Sequence, residues 1–558
     1  MRSIQPVSIQ AIGITHNLDR DFTGLNWHVG PFTTCWSRYT CACKYKERGD
    51  HVKVIQLTPQ DNVAVLVEPG KKGDHVDNIA DLVLQEDIPQ SHKITLEAIK
   101  QGEPIRRYGV ILGYALHDFP KGAWINETSL KLPPSPALDA LRANPDFKEP
   151  DNIRAPKTPY FMGYANDPSF SEYAGTRNIL AIHTTVQCVI GIVNAAIVKI
   201  KNQLLAKYPN VDDVIAINHQ YGCGVAINAE NAEIPINGLR NLLHHPNFGG
   251  QIMCVSLGCE KLTPQMLLQD QCTPDNLVIL QAQHGFKGMI DAIFNMADHK
   301  LAKLNERKRT KQPLDKLLIG LQCGGSDAFS GVSGNTSVGY AADMLVKAGA
   351  TVMFSEVSEV RDGVEFIANR ITSPETCNVF KQQVSWYDNY LAKGKVDRSA
   401  NPSPGNKKGG LSTIVEKSMG SIAKSGSLEV KEVLTPGGIP TKHGMIFAAT
   451  PASDLVCGTM QMCSGATLQV FVTGRGTPYG LAALPVLKVC TRNELKEKWP
   501  DVIDINTGSV LTDNTSIEDM GESICDTILN VASGTDKPFT EQYGIYNDIC
   551  LFNPAPIT

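Results

Sequence analysis

The stretch LLIGLQCGGSDAFSGVSGN (317–335) decides the fold class. Its first five residues are apolar strand material. They run without a break into a glycine- and serine-rich loop that carries Cys323, Ser326 and Asp327. A glycine-rich loop directly after a strand lets backbone N–H groups approach something anionic. The same plan recurs along the chain. NILAIHTTVQC (178–188), VIAINHQYGCG (214–224), IMCVSLGCEK (252–261), LVILQAQHG (277–285), TVMFSEVSEV (351–360), MIFAATPASD (445–454) and LQVFVTGRGTPYG (468–480) each pair a short apolar strand with a polar tip. Helix-length amphipathic segments such as VIGIVNAAIVKIKNQLLAKYP (189–209) lie between some of them. Strands alternating with helices predict parallel sheets, whose ligands bind off the carboxyl ends of the strands.

The N-terminal part reads differently. HVKVIQL (51–57) and NVAVLVEPG (62–70) alternate or run apolar and stop at turn residues, which predicts a small β-rich domain over 51–131. The proline- and charge-rich segment 132–160 reads as a linker. Two α/β domains are expected beyond it, over 161–395 and 396–558. Residues 1–50 include TTCWSRYTCACKYKERGD and show neither a period of 2 nor one of 3.6. A poorly ordered extension is expected there.

Bulk properties exclude several function classes. A formal net charge of -5 over 558 residues gives no general attraction to nucleic acid or to anionic membranes. No apolar run is long enough to span a bilayer, and the N-terminus lacks a basic region followed by an apolar block. A cytoplasmic protein is expected. The 15 cysteines are an odd number, mostly isolated in apolar segments, so reduced thiols are expected.

Several tips carry residues suited to chemistry. Cys188, Cys223, Cys259, Cys323 and Cys457 sit at or near strand ends, and thiolates suit iron or zinc. No pair among them has C-x-x-C spacing, so local sequence identifies no metal. The 321–335 loop lacks the lysine of a phosphate-binding loop. TGRGTPYG (473–480) departs from G-x-G-x-x-G and carries Arg475, which suits a carboxylate better than a nucleotide. SPGNKKGG (403–410) offers Lys407 and Lys408 amid glycine and proline. His92 and His219 are few enough to notice, as metal ligands or general bases. The residues alone describe an α/β enzyme that binds a small anionic substrate.

NHQYGCGVAINA, FGGQIMCVSLGCEKL, LQCGGSDAFSGVSGN, GATVMFSEVSEVRD, DRSANPSPGNKKGGL, GSIAKSG, ATPASDLVCGT, FVTGRGTPYGL and the ending LFNPAPIT closely resemble the galactarate/altronate dehydratase family. HKITLEAIKQGEPIRRYGVILGYA resembles that family's SAF-type domain. The resemblance runs from about residue 52 to the C-terminus. It implies an α/β protein with a small N-terminal SAF-like β-domain followed by parallel α/β sheet domains. It also implies dehydration of galactarate to 5-dehydro-4-deoxy-glucarate with an iron(II) requirement. Altronate or glucarate as substrate, or a non-catalytic sugar-acid sensor, are the alternatives. On this reading the metal environment is His92, Cys223, Cys259 and Cys323. The carboxylates of a sugar diacid meet Arg177, Lys407, Lys408 and Arg475. His92 or Lys408 is the base, and Ser326 and Asp327 face the substrate. A homodimer is expected as a prior.

Overall fold

The computed structural model describes residues 51–555, apart from Asn78 and Asp397. The expectation for residues 1–50 therefore lies outside the described residues.

The β-rich N-terminal region is built of short, mostly antiparallel strands. Val54–Ile55, Val63–Leu66, Lys93–Thr95 and Trp124–Ile125 form one sheet; Pro104–Arg107, Val110–Ala115 and Leu130–Lys131 form another. Residues 132–159 follow with little regular structure beyond one short turn at Leu138–Ala140. This segment is tied down, however. The Arg361 and Arg398 guanidiniums donate to the carbonyls of Pro136 (2.9 Å) and Pro133 (3.0 Å).

The next region holds a four-stranded parallel sheet of β1 (Ile179–Thr184), β2 (Asp213–Ile217), β3 (Met253–Ser256) and β4 (Leu277–Ile279), in the order β2-β1-β3-β4. Helix α1 (Ile190–Gln203) follows β1 and buries Val193, Ala196, Ile197 and Ile200, the i, i+3, i+4, i+7 stripe of an amphipathic helix.

The largest layer is a seven-stranded sheet in which every neighbouring pair is parallel. Its strands are β5 (Leu318–Cys323), β6 (Thr351–Ser355), β7 (Val430–Leu434), β8 (Met445–Ala448), β9 (Leu468–Thr473), β10 (Val486–Cys490) and β11 (Ile505–Asn506). Helices that position the site are α2 (Asn335–Lys347), α3 (Val357–Val360), α4 (Pro404–Lys408), α5 (Ile414–Ile422) and α6 (Asp454–Cys463). β5, β6 and β9 are buried at every position, which is why they read as unbroken apolar runs rather than alternating ones. Both sides of residue 395, where the sequence places a domain boundary, contribute strands to this one sheet.

Strand order locates the ligand crevice. The sheet runs β7-β8-β6-β5-β9-β10-β11. The chain moves from β5 outward through β6 to β7 and β8, then returns to lay β9 on the other side of β5. Such a reversal opens a crevice at the carboxyl ends of the two strands it separates. The loops emerging there are the opening stretch, after β5, and the TGRG loop, after β9. They are joined by backbone bonds from Gly474 (3.2 Å) and Arg475 (2.9 Å) to the Gly325 carbonyl. Among the described residues no helix is long and apolar enough to cross a membrane.

Candidate active site

The residue after β6 is Glu356, held at φ +80 in the left-handed region. That conformation costs a non-glycine residue energy, and such strain gathers at functional sites. Here it is over-determined by Thr450, whose hydroxyl accepts from the Glu356 N–H (3.2 Å) and whose carbonyl accepts from Val357 (2.9 Å). Glu359 lies three residues on, on the same face of the short α3.

The facing cations come from α5 and the turn behind it. Lys424 Nζ donates to a Glu356 carboxylate oxygen (2.9 Å), to Ser421 Oγ (2.6 Å) and to Cys323 Sγ (3.3 Å). Lys417, seven residues earlier and so on the same side, pairs with Glu359 at 2.6 Å. Cys323, the last residue of β5, directs its thiol toward Glu359 at 3.5 Å. Lys424, Glu356, Glu359 and Cys323 are all shut off from solvent.

Beside this cluster opens a cavity of about 580 Å³ at the carboxyl end of the sheet. Gly324 and Gly325 of the opening stretch form part of its wall, with Glu359, Lys417, Asp454 and Asn406. Arg361 and Arg398 also line it, each already paired with an acid, Asp388 and Asp362 respectively.

The electrostatics split the two glutamates. Burial and the neighbouring Glu359 charge push Glu356 up, against the pull of Lys424. Burial also opposes ionisation of Glu359, but Lys417 and Lys424 outweigh it and hold that carboxyl low. The pair therefore carries one proton that is easily placed and one charge that is firmly held. Asp454 is raised to about 6 by burial and by Glu359. Burial pulls Lys424 down, yet Cys323, Glu356 and Glu359 together keep it above its ordinary value. Burial raises the Cys323 thiol to about 12.

Cys323, Glu356 and Glu359 form a group whose ligand atoms lie within 4.8 Å of one another, so it could hold a metal ion. Two carboxylates and a sulfur suit a divalent transition metal in donor type. The Lys424 ammonium touches two of the three donors and already supplies positive charge there. An ion and this ammonium are alternatives for the same space.

The sequence-derived site residues disperse. Cys323 lies in the cluster. Ser326 and Asp327 lie on the same loop but are buried as scaffolding. The Ser326 carbonyl accepts from Asn406 (2.9 Å), while its hydroxyl is buried without a partner. Asp327 accepts from the Phe329 N–H, Ser330 and Thr491 at 3.1, 3.1 and 2.9 Å, stapling the loop after β5 to the one after β10. Arg475 is exposed beside Gly325, near the cavity wall. Lys407 and Lys408 end α4, half-buried and exposed, on the helix that supplies Asn406.

Three others are engaged elsewhere. Arg177 precedes β1 and makes a two-pronged ion pair with Glu541 (2.9 and 2.6 Å). His92 accepts from the Trp124 indole at 3.0 Å and sets its other ring nitrogen 3.4 Å from the Lys408 carbonyl, so both nitrogens are turned to protein groups. Cys223 and Cys259 are exposed on the four-stranded sheet, in a different layer from Cys323.

Sequence reasoning missed Glu356, Glu359, Lys417, Lys424 and Asp454. The signal was present: SEVSEV places two acids at i, i+3 directly after an apolar strand, at the carboxyl end where ligands bind.

Comparison with known proteins agrees with this organisation. Residues 52–133 match the altronate/galactarate dehydratase SAF domain, 163–305 the D-galactarate dehydratase/altronate hydrolase second domain, and 314–557 the D-galactarate/altronate dehydratase C-terminal domain. Galactarate dehydratase (L-threo-forming) of Escherichia coli strain K12 is 49% identical over 516 residues, covering 90% of this chain and 97% of that protein. Altronate dehydratase of Bacillus subtilis strain 168 is 31% identical over 486 residues, covering 86% and 95%. Altronate dehydratase of E. coli K12 is 30% identical over 512 residues, covering 90% and 99%. With its three regions in family order and near full-length similarity, the chain belongs to the galactarate/altronate dehydratase family.

Proposed function

We propose that the chain is a hydro-lyase that dehydrates galactarate to 5-dehydro-4-deoxy-glucarate in the cavity at the carboxyl ends of β5, β6 and β8. The observation that carries the reading is the cluster of buried acids and lysines beside the cavity, of which Glu359, Lys417 and Asp454 line its wall. The similarity to galactarate dehydratase, well above that to the altronate enzymes, supports the choice of substrate.

The reaction needs a base for the proton α to a carboxylate, positive charge for the aci-carboxylate that results, and an acid for the departing β-hydroxyl. Asp454 lines the cavity, and burial with Glu359 nearby raises its carboxyl to about 6, so its carboxylate serves as the base. Lys417 is kept protonated by Glu359, although burial opposes it, and faces the developing charge. The Glu356–Glu359 pair returns one proton to the hydroxyl as it leaves as water. The enol that remains becomes the ketone by taking up a proton at carbon. An iron(II) ion, when held by Glu356, Glu359 and the Cys323 sulfur, would supply Lewis-acid help to hydroxyl loss. Arg475 and Lys407 guide the substrate carboxylates at the rim.

A carbonyl-trapping assay with galactarate, altronate and glucarate, run with and without iron(II), tests the reading. Keto product from galactarate well above the other two is expected. Tight galactarate binding with no product would instead make the chain a sugar-acid sensor.

A further inference from the structure

The exposed cysteines among the described residues are Cys188, Cys223 and Cys259; the other nine are buried or half-buried. Burial is the ordinary state of a cysteine that serves only packing. The three exceptions follow β1, β2 and β3, which are direct neighbours in one parallel sheet in the order β2-β1-β3. All three thiols therefore stand at one end of one sheet, the carboxyl end.

The loops that carry them are bound to one another. The Leu262 N–H donates to the Gly222 carbonyl at 3.1 Å, joining the Cys223 and Cys259 loops. Glu260, next to Cys259, accepts from the Thr185 hydroxyl, from Ser256 Oγ (2.5 Å) and from the Gly258 N–H (2.7 Å). Thr185 opens the segment that leads to Cys188. Gly222, at φ +117, sits so near Thr185 that an added Cβ would meet its carbonyl oxygen at 2.1 Å. Cys188 itself lies in the turn Gln187–Val189, directly ahead of the fourteen-residue α1, whose first turn has no side-chain cap.

We propose that Cys188, Cys223 and Cys259 are the ligands of a cubane iron–sulfur cluster whose fourth iron faces solvent. Spacing favours a cluster over a single ion. Tetrahedral zinc needs its sulfurs about 3.8 Å apart, given Zn–S bonds of about 2.3 Å. The three cysteines stand three to six residues beyond the ends of their strands, on loops long enough to carry the sulfurs to the corners of a cubane. Among the described residues the one metal-ligating group found within 4.8 Å is that of Cys323, so these three sulfurs do not all meet that limit. None of the three lines the catalytic cavity, and the proposal does not rest on the galactarate reading. Assembly balances with two ferrous ions, two ferric ions and four sulfides, giving a core of charge 2+. The three cysteines each lose a proton to solvent.

The test is anaerobic reconstitution of the full chain with ferrous and ferric iron in equal parts plus sulfide. About four irons and four sulfides per chain are expected, with the broad visible absorption of an iron–sulfur centre. C188S, C223S and C259S should each abolish or sharply reduce loading while keeping the circular-dichroism spectrum. C323S should keep the sulfide content and visible absorption of the cluster, and the C41S/C43S double variant should load fully. Loading that survives the first three variants, or is lost with C41S/C43S, overturns the proposal. So does the uptake of one zinc per chain, abolished by the same three variants, with no iron–sulfide loading.

Discussion

Two adjacent residues of α5 enter two buried charge networks, and the networks differ in one respect. Glu416 accepts from Lys93 Nζ at 3.0 and 2.9 Å, from Arg107, and from the N–H and hydroxyl of Ser412, both at 2.8 Å. Lys93 and Arg107 belong to the β-rich domain, so this network rivets that domain to the catalytic sheet. Its single carboxylate faces two cations. Burial opposes its charge, but Lys93 and Arg107 hold its pKa at about 2. Lys417 begins the other network, where two carboxylates and a thiol meet two ammoniums beside an open cavity. Enclosure with excess positive charge fixes a proton state. Near-balanced charge beside a cavity leaves a proton free to move. The first arrangement holds structure, and the second suits catalysis.

The sharpest way to break the comparison is to neutralise one acid in each network. Glu359→Gln keeps the side chain's shape and removes the fixed charge from the catalytic pair. We expect kcat to fall about 10³-fold, within the range of lost acid–base catalysis, with the fold retained. Product formation by carbonyl trapping measures the first and thermal unfolding the second. An unchanged kcat would remove the cluster from the mechanism.

Glu416→Gln should do the reverse. Leaving Lys93 and Arg107 buried without a counter-charge costs about 3–5 kcal/mol of stability. Denaturant unfolding should show that loss while kcat of the folded fraction changes less than about threefold. Replacing all three, as Lys93→Met, Arg107→Met and Glu416→Leu, should restore most of the stability, because a buried ion group can be exchanged for packed apolar residues. No apolar replacement of the Glu356–Glu359–Lys424 group should restore turnover.

Acid distinguishes the networks more gently. The folded Glu416 pKa of about 2 lies below its ordinary 4.5. Its contribution is therefore complete above pH 4.5 and is lost as pH falls through 2. Urea unfolding at stepped pH should show stability declining across that window. The slope should shrink in Glu416→Gln.

What the sequence disclosed follows from what is local. Strand runs, their glycine tips and the class of fold are readable because burial on both faces leaves unbroken apolar stretches such as LQVFVT. Cys323 is found because it ends such a run. The acid–base partners are not local. Glu356 follows β6, Lys424 follows α5 and Asp454 begins α6 after β8, and the two acids meet only because β6 lies between β5 and β8. Arg177 shows a signal that was available but unused. It precedes β1, so it stands at the amino end of its strand, opposite to where parallel sheets bind ligands. His92 could not have been judged from SHK alone, since Trp124 and the Lys408 carbonyl close on it from distant segments.

The smallest effect is expected at the rim. Arg475 is exposed, and water screens an exposed charge, so its attraction for a substrate carboxylate is modest. Its position is nevertheless set: its N–H and that of Gly474 both bond the Gly325 carbonyl, which fixes the TGRG loop against the cavity wall. Arg475→Ala should raise KM for galactarate about threefold to tenfold and leave kcat nearly unchanged, the pattern of lost uniform binding. Added salt should narrow the difference between the two proteins, because screening already weakens the wild-type contact. If kcat falls with KM constant, Arg475 acts in the chemistry, and the division between a proton-moving interior and a charge-guiding rim has to be redrawn.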